Sequence, residues 1–280
     1  MSSQKINNEN HCSALDSDFR FFKNAFLQGL VSSRLSQNIL DALADPNNLL
    51  QQGELYKDSN STTAGVVVLE GEKFFLKRYN NKDFKRRLKN SVRKTRPFKV
   101  LNTSRAVAAA GVCVPEVFAA LNLRRGLLIE SSYLLSAYLE NAQNATQKIE
   151  MISSEDGLET FVDKICRTLV KIHDAGIQHG DAKMSNILII PEENSYRIGL
   201  LDFDGSTCNA ESLSERGRRR DLARLVSSYL LTCKHGSISV SPLEDLIEYF
   251  AGKYQQISGV DLRGERLFRR TEYLSTRVRK

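Results

Sequence analysis

Apolar residues fall in short runs broken by turn-forming residues through the first half of the chain, and at helical intervals through the second. Phe19, Phe22, Phe26 and Leu30, then Leu35, Ile39 and Leu43, are spaced by three to five and predict helix. Asp45-Pro46-Asn47-Asn48 reads as a turn. Leu55–Lys57, Val66–Leu69 and Phe74–Lys77 are β-rich runs, with Asp58–Gly65 and Glu70–Lys73 between them. That punctuation predicts an antiparallel meander with a tight turn before its third strand. A helix follows over Val100–Ala110, stopped by Gly111 and Pro115, and then two strands, Val117–Leu121 and Leu127–Glu130. Further on, Leu158, Phe161, Val162, Ile165, Leu169 and Ile172 share one helical face, and Ser153 with Asp156 resembles its N-terminal cap. Leu222, Leu225, Val226, Tyr229 and Leu230 make a second such face; Leu243, Leu246, Ile247 and Phe250 make a third. The predicted class is α+β: a helical extension over residues 1–50, a small β-rich part over 51–135 and a larger helical part over 136–280.

Composition changes this picture little, with 41% hydrophobic and 26% charged residues, as in ordinary globular proteins. No apolar run reaches the roughly 18 residues of a spanning helix. The polar first ten residues lack a signal core, so export is not expected. Five scattered cysteines (Cys12, Cys113, Cys166, Cys208 and Cys233) show no zinc or redox spacing and are expected to be reduced, structural thiols of a cytoplasmic protein. His11, His173 and His235 show no metal-ligand spacing either.

Charge changes it more. Eleven basic residues and one acid, Asp83, lie between Lys77 and Lys99, so although the chain is +7 overall, the remainder is net acidic. A local positive field implies an anionic partner: phosphates, nucleic acid or an acidic membrane surface. Nucleic acid is disfavoured, because the segment offers only Tyr79, Phe84 and Phe98 for base stacking. The C-terminal end, with Arg263, Arg266, Arg269, Arg270, Arg277, Arg279 and Lys280 among apolar residues, fits either a membrane-surface helix or a packed terminal one.

Candidate chemistry concentrates in His179-Gly180-Asp181-Ala182-Lys183-Met184-Ser185-Asn186 and, sixteen residues beyond Asn186, in Asp202-Phe203-Asp204-Gly205. Both stand beside apolar strands, and Lys77 ends a strand upstream. Phosphoryl transfer needs positioning and charge stabilisation, and each residue suits one part of it. Asp181 is the carboxylate that orients an acceptor hydroxyl and takes its proton. Asn186 and Asp202 are oxygen ligands for Mg²⁺, with Asp202 bridging to the β- and γ-phosphates. Lys183 reaches the γ-phosphate, and Lys77 holds the α- and β-phosphates of ATP. His179 is expected to pack and hold the loop. Asp221 is expected to open a helix and steady that loop.

The pattern resembles the protein-kinase signature H-x-D-x-x-x-x-N followed by D-F-G, with Asp204 in place of the glycine. Gly180 stands where protein kinases usually carry arginine, which resembles the branch acting on small molecules and sugars. Together with Phe75-Leu76-Lys77-Arg78-Tyr79, Ala109-Ala110-Gly111-Val112-Cys113-Val114-Pro115 and Arg220-Asp221-Leu222-Ala223-Arg224-Leu225, it is similar to the bacterial lipopolysaccharide core sugar kinases, the Kdo/WaaP family, over roughly residues 54–235. The resemblance implies a two-lobed protein-kinase-like fold. It also implies ATP-dependent phosphorylation of a Kdo or heptose hydroxyl of the lipopolysaccharide inner core, at the cytoplasmic face of the inner membrane. Two departures stand out. Lys77 either lacks the usual glutamate partner or finds one in Asp83 or Glu116, and the phosphate loop expected over Ser59–Gly65 has a single glycine. A soluble small-molecule kinase of the aminoglycoside or choline kinase type is the alternative enzyme, and a nucleotide-binding module without catalysis is the non-enzymatic one.

Overall fold

The computed structural model describes residues 19–81, 91 and 94–276, the Glu155 side chain excepted. Asp83 and most of the basic segment, including Arg86, Arg87, Lys89 and Arg93, lie outside the described residues. The chain forms two compact units. One runs up to Arg105 and includes Pro115–Glu140; the other comprises Ala106–Val114 and the residues from Asn141 onward.

The first unit is built on a seven-stranded antiparallel sheet. Its strands are β1 (Phe19–Lys23), β2 (Leu27–Ser32), β3 (Glu54–Asp58), β4 (Thr62–Leu69), β5 (Glu72–Asn80), β6 (Val117–Arg125) and β7 (Leu128–Ala137), in the spatial order β1-β2-β6-β7-β5-β4-β3. The predicted meander is β3-β4-β5. Its tight turn is made by Glu70 and Gly71, both at positive φ (51° and 81°). Two short helices, α1 (Gln37–Ala42) and α2 (Pro46–Gln52), cover one face through Ile39, Leu40, Leu43 and Leu50 on Val67, Phe74, Leu76, Phe118, Tyr133 and Leu135. The opposite face packs Tyr79, Val117, Ala120 and Leu134 against Val100 and Leu101 of α3 (Arg96–Ala109). Strand alternation puts Lys77 on this second face, with its Nζ 4.9 Å from the Tyr79 ring centroid.

Two expectations fail in this unit. Phe19–Leu30 is a hairpin rather than a helix. Burial in β2 alternates at Leu27, Gly29 and Val31, a period of two, and Asn24 Oδ1 accepts the amides of Phe26 and Leu27 at 2.9 and 2.7 Å to close the turn. The three-to-four spacing of Phe19, Phe22 and Phe26 is therefore coincidental, whereas that of Leu35, Ile39 and Leu43 is helical. Asp45-Pro46 is not a free turn. Asp45 caps α2 by accepting the Asn48 amide at 3.1 Å, with Pro46 at the first helical position. Asn47 Oδ1 then accepts from Tyr133 Oη (2.9 Å) and Arg78 Nη1 (2.8 Å), tying α2 to the sheet.

In the second unit, α4 (Ile149–Ile152), α5 (Glu155–Asp174), α6 (Glu215–His235), α7 (Leu243–Ser258) and α8 (Glu265–Thr276) surround a core that includes Phe161, Ile165, Leu169, Leu222, Val226, Tyr229, Phe250 and Tyr254. The cap of α5 is Ser154, one residue later than expected; its Oγ accepts the Gly157 amide at 3.2 Å. Small sheets made of β8 (Gln143–Asn144), β10 (Ile187–Glu192) and β11 (Ser195–Leu200), and of β9 (Ile177–Gln178) and β12 (Thr207–Cys208), carry the motif loops. Of the two readings of the C-terminal end, α8 is a packed helix: Leu267 and Thr271 are buried, and it lies against α6 and α7. No described helix is long and apolar enough to cross a membrane. Cys166, Cys208 and Cys233 are free thiols, and burial pushes the Cys166 thiol up to about 12. Cys113 is disulfide-bonded, against the expectation of reduced thiols throughout.

A Cβ on Gly29 would lie 2.0 Å from the Ala120 carbonyl oxygen of the paired strand β6. Gly29→Ala should therefore lower stability by about 1–3 kcal/mol through forced displacement of the hairpin. Urea denaturation followed by circular dichroism checks it; an unchanged midpoint would show that β2 does not depend on this close approach.

Candidate active site

The two motif loops lie in the second unit and are joined at several points. β9 pairs with β12 through Gln178↔Thr207 and Ile177↔Cys208, which brings the chain entering the first loop beside the chain leaving the second. Gly180 has φ +82°, and a Cβ there would lie 2.4 Å from the Gly205 carbonyl oxygen. Both the backbone angle and the close approach demand glycine at this position. His179 is fully buried with its ring 5.1 Å from that of Phe203, and burial holds its imidazole below the usual 6.5, in the neutral form. This placement accords with a packing role for His179.

Asp221, on α6, is also buried. Its Oδ2 accepts the His179 amide at 2.7 Å and its Oδ1 accepts the Gly180 amide at 2.9 Å. Oδ2 also lies 3.2 Å from His173 Nε2, and His173 Nδ1 is 2.8 Å from Tyr254 Oη. Arg218 extends the network, donating to Tyr254 Oη, to the Leu213 carbonyl and to Asp174. Buried polar groups of this kind are costly unless satisfied, so the network fixes the loop to the helical core.

Within the loop, Asp181 is half-buried. Its Oδ1 accepts from Arg224 Nε at 2.8 Å, and its Oδ2 accepts from Lys183 Nζ at 2.9 Å and Asn186 Nδ2 at 3.2 Å. Burial pushes the carboxyl up, but the hydrogen bonds and charges of Lys183 and Arg224 outweigh it and hold the group below the ordinary 3.8. Asn186 also donates to the Asp181 carbonyl at 3.0 Å, and the Asn186 carbonyl accepts the Leu201 amide at 2.9 Å, which places Asn186 beside the strand end that bears Asp202. Met184 N donates to Ser228 Oγ of α6 at 3.0 Å. Asp202 is exposed and left-handed, with φ 63° and ψ 69°, a conformation that aspartate tolerates better than most residues and that recurs at functional turns.

Asp181, Lys183, Asn186 and Asp202 are therefore gathered in one unit, whereas Lys77 belongs to β5 of the other. Glu116, one candidate partner for Lys77, is buried and pairs with Arg34; the other, Asp83, lies outside the described residues. The expected phosphate loop is a tight hairpin in which Ser59 N donates to the Thr62 carbonyl at 2.9 Å, and its glycine, Gly65, lies inside β4 against Glu54. Arg224 and Ser228 were missed as site residues. Their signal was helical spacing: Asp221 and Arg224 are three residues apart, which puts both on the side of α6 that faces the loop. Asn186 spends its amide nitrogen on Asp181, leaving Oδ1 as an oxygen ligand, and Asp202 offers a carboxylate. An all-oxygen donor pair suits Mg²⁺, which completes its shell with water and substrate phosphates. Among the described residues no group of three or more His, Cys, Asp or Glu could hold a metal by itself.

Two outcomes follow. In a carbon-detected NMR titration Asp181 should titrate below 3.8, and Arg224→Met should move it upward. The stability carried by this depressed carboxyl is present above its unfolded pKa and lost as pH falls through the folded one. An unmoved titration in Arg224→Met would remove Arg224 from this role. Asp221→Ala strands the buried His179 amide and the part-buried Gly180 amide and should cost about 3 kcal/mol or more, with faster hydrogen exchange at both than the global loss explains. Exchange that merely tracks global stability would mean the loop has other anchors.

The lipopolysaccharide kinase (Kdo/WaaP) family matches residues 43–250. A 3-deoxy-D-manno-octulosonic acid kinase of Vibrio cholerae serotype O1 is 31% identical over 144 residues, which is 51% of this chain and 57% of that protein. One from Mannheimia succiniciproducens is 30% identical over 152 residues, 54% and 61% of the two chains. The chain thus spans about half to three-fifths of the length of the curated relatives it matches. A solved structure described as WaaP in complex with acyl carrier protein superposes with a TM-score of 0.52 at 17% identity, covering 84% of this chain and 92% of that one, a likeness of fold. The fold is protein-kinase-like and α+β, and with some three-quarters of its length matched the chain belongs to the lipopolysaccharide kinase (Kdo/WaaP) family.

Proposed function

We propose that the protein is an ATP-dependent phosphotransferase that carries the γ-phosphate to a hydroxyl of Kdo in the lipopolysaccharide inner core. The observation that carries the reading is the Asp181 carboxylate, held ionised by Lys183, Arg224 and Asn186 in a loop hydrogen-bonded to the strand that presents Asp202. The names of the relatives favour Kdo over heptose as acceptor. In this reading Asp181 orients the acceptor hydroxyl for in-line attack and takes its proton as the new P–O bond forms. Its low pKa makes it a weak base, which suffices where the transition state is loose and the hydroxyl proton is needed late. Lys183, which pairs with Asp181 at 2.9 Å, would meet charge on the γ-phosphate. Asn186 Oδ1 and the Asp202 carboxylate would hold Mg²⁺, which when bound neutralises charge on the β- and γ-phosphates. Lys77, on the first unit, would hold the α- and β-phosphates. The lipopolysaccharide inner core is the proposed partner, met at the cytoplasmic face of the inner membrane, where the acidic lipid surface would add to its anionic field.

The test offers labelled ATP to the purified protein with lipid-linked acceptors ending in Kdo or in heptose. Asp181→Asn should lower kcat by about 10²-fold or more with the KM for ATP unchanged. Wild-type turnover in that variant would sink the assigned role. Robust transfer to a neutral aminoglycoside, with none to Kdo, would move the protein to the small-molecule kinases.

A further inference from the structure

A cavity of about 440 Å³ between α6 and α8 is lined by five arginines: Arg216, Arg219, Arg220, Arg266 and Arg270. Among the described residues no acidic one lines it. Several acids of this region are engaged elsewhere: Glu215 pairs with Arg219 at 2.6 Å, Glu265 with Arg269, and Asp261 and Glu248 with Arg263. Arg216, Arg220, Arg266 and Arg270 have no ion pair or side-chain hydrogen bond among the described residues. Converging unpaired guanidinium groups repel one another, and the concavity concentrates their field, so the free protein stores a positive potential that a multiply charged anion relieves. Arginine forks also match phosphate oxygens two at a time, which makes a phosphomonoester or diphosphate the best-fitting ligand.

The position of the cavity gives this charge a use. Arg216, Arg220 and Arg224 are four residues apart and form one row along α6. The row ends on the site, since Arg224 Nε contacts Asp181 Oδ1 at 2.8 Å. From Arg224 back to Arg220 and Arg216 the helix rises by about 6 and about 12 Å. An acceptor whose hydroxyl sits at Asp181 would therefore present any phosphate borne about that far along its body to the arginine cavity.

We propose that the α6–α8 cavity is an acceptor subsite that binds a phosphomonoester or diphosphate already present on the glycolipid, about 6–12 Å from the hydroxyl to be phosphorylated. The subsite rests on the kinase reading for its role but not for its existence, and the experiment separates the two. The variant is Arg266→Gln/Arg270→Gln, on α8 and away from the motif loops. Calorimetry with inorganic pyrophosphate, without magnesium, should show one site in the wild type and in Asp202→Ala, weakened at least tenfold in the double variant. In transfer assays the double variant should raise KM about tenfold for a phosphate-bearing lipid-linked acceptor, with KM for ATP unchanged. With the same acceptor after phosphatase treatment, wild type and variant should have equal KM. Thermal melting of the variant at the wild-type temperature shows that its fold is intact.

Equal pyrophosphate binding in wild type and variant overturns the subsite, as does a KM rise shared by both acceptors. Loss of sedimentation with phosphatidylglycerol vesicles without any change in acceptor KM also overturns it, since the cavity would then read the bulk lipid surface. If the wild type transfers phosphate to no sugar acceptor yet the pyrophosphate difference stands, the kinase reading fails and the anion site survives.

Discussion

The carboxylate of Asp221 is the point on which the site depends. It sits out of water and accepts two consecutive backbone amides, those of His179 and Gly180, while touching the ring of His173. A buried carboxylate is tolerated only when its lone pairs are filled, so the loop has little freedom to leave it. The same helix then reaches the loop twice more, through Arg224 to Asp181 and Ser228 to Met184. Three contacts from one rigid element, spread over two turns, fix the position of a segment that has almost no regular structure of its own.

The electrostatics around Asp181 involve a trade between basicity and order. Two cations and an amide hold the carboxylate in place and depress its affinity for protons. A strong general base would sit nearer neutrality. In the proposed reaction such a carboxylate would serve by orientation more than by proton affinity, as suits a barrier lowered mainly by alignment and charge neutralisation.

The sequence made some of this legible and hid the rest for identifiable reasons. The β3-β4-β5 meander and the long helices were readable because Gly, Asn and Asp punctuate the first and a three-to-four spacing marks the second. The motif residues were readable because their order and flanking strands are local. The β1-β2 hairpin was hidden because Phe19, Phe22 and Phe26 mimic a helical stripe, and only the partner strand β6 makes Gly29 meaningful. Arg224 was hidden because its role comes from a loop more than forty positions away, although its spacing from Asp221 carried the information. The single glycine of Ser59–Gly65 was a departure from a phosphate loop, and its reason is steric: a side chain there would meet Glu54.

The contact between Gly180 and the Gly205 carbonyl also bears on how such a site can change over time. Protein kinases usually carry arginine where this chain has Gly180, but at φ +82° and 2.4 Å from a backbone oxygen no side chain fits. Replacement of this residue alone would push the aspartate-bearing loop off its register. A side chain at this position requires the second loop, which reads Asp-Phe-Asp-Gly rather than Asp-Phe-Gly, to move as well. The two loops are thus bound to a shared history. A change in either loop therefore bears on the other through a single carbonyl group.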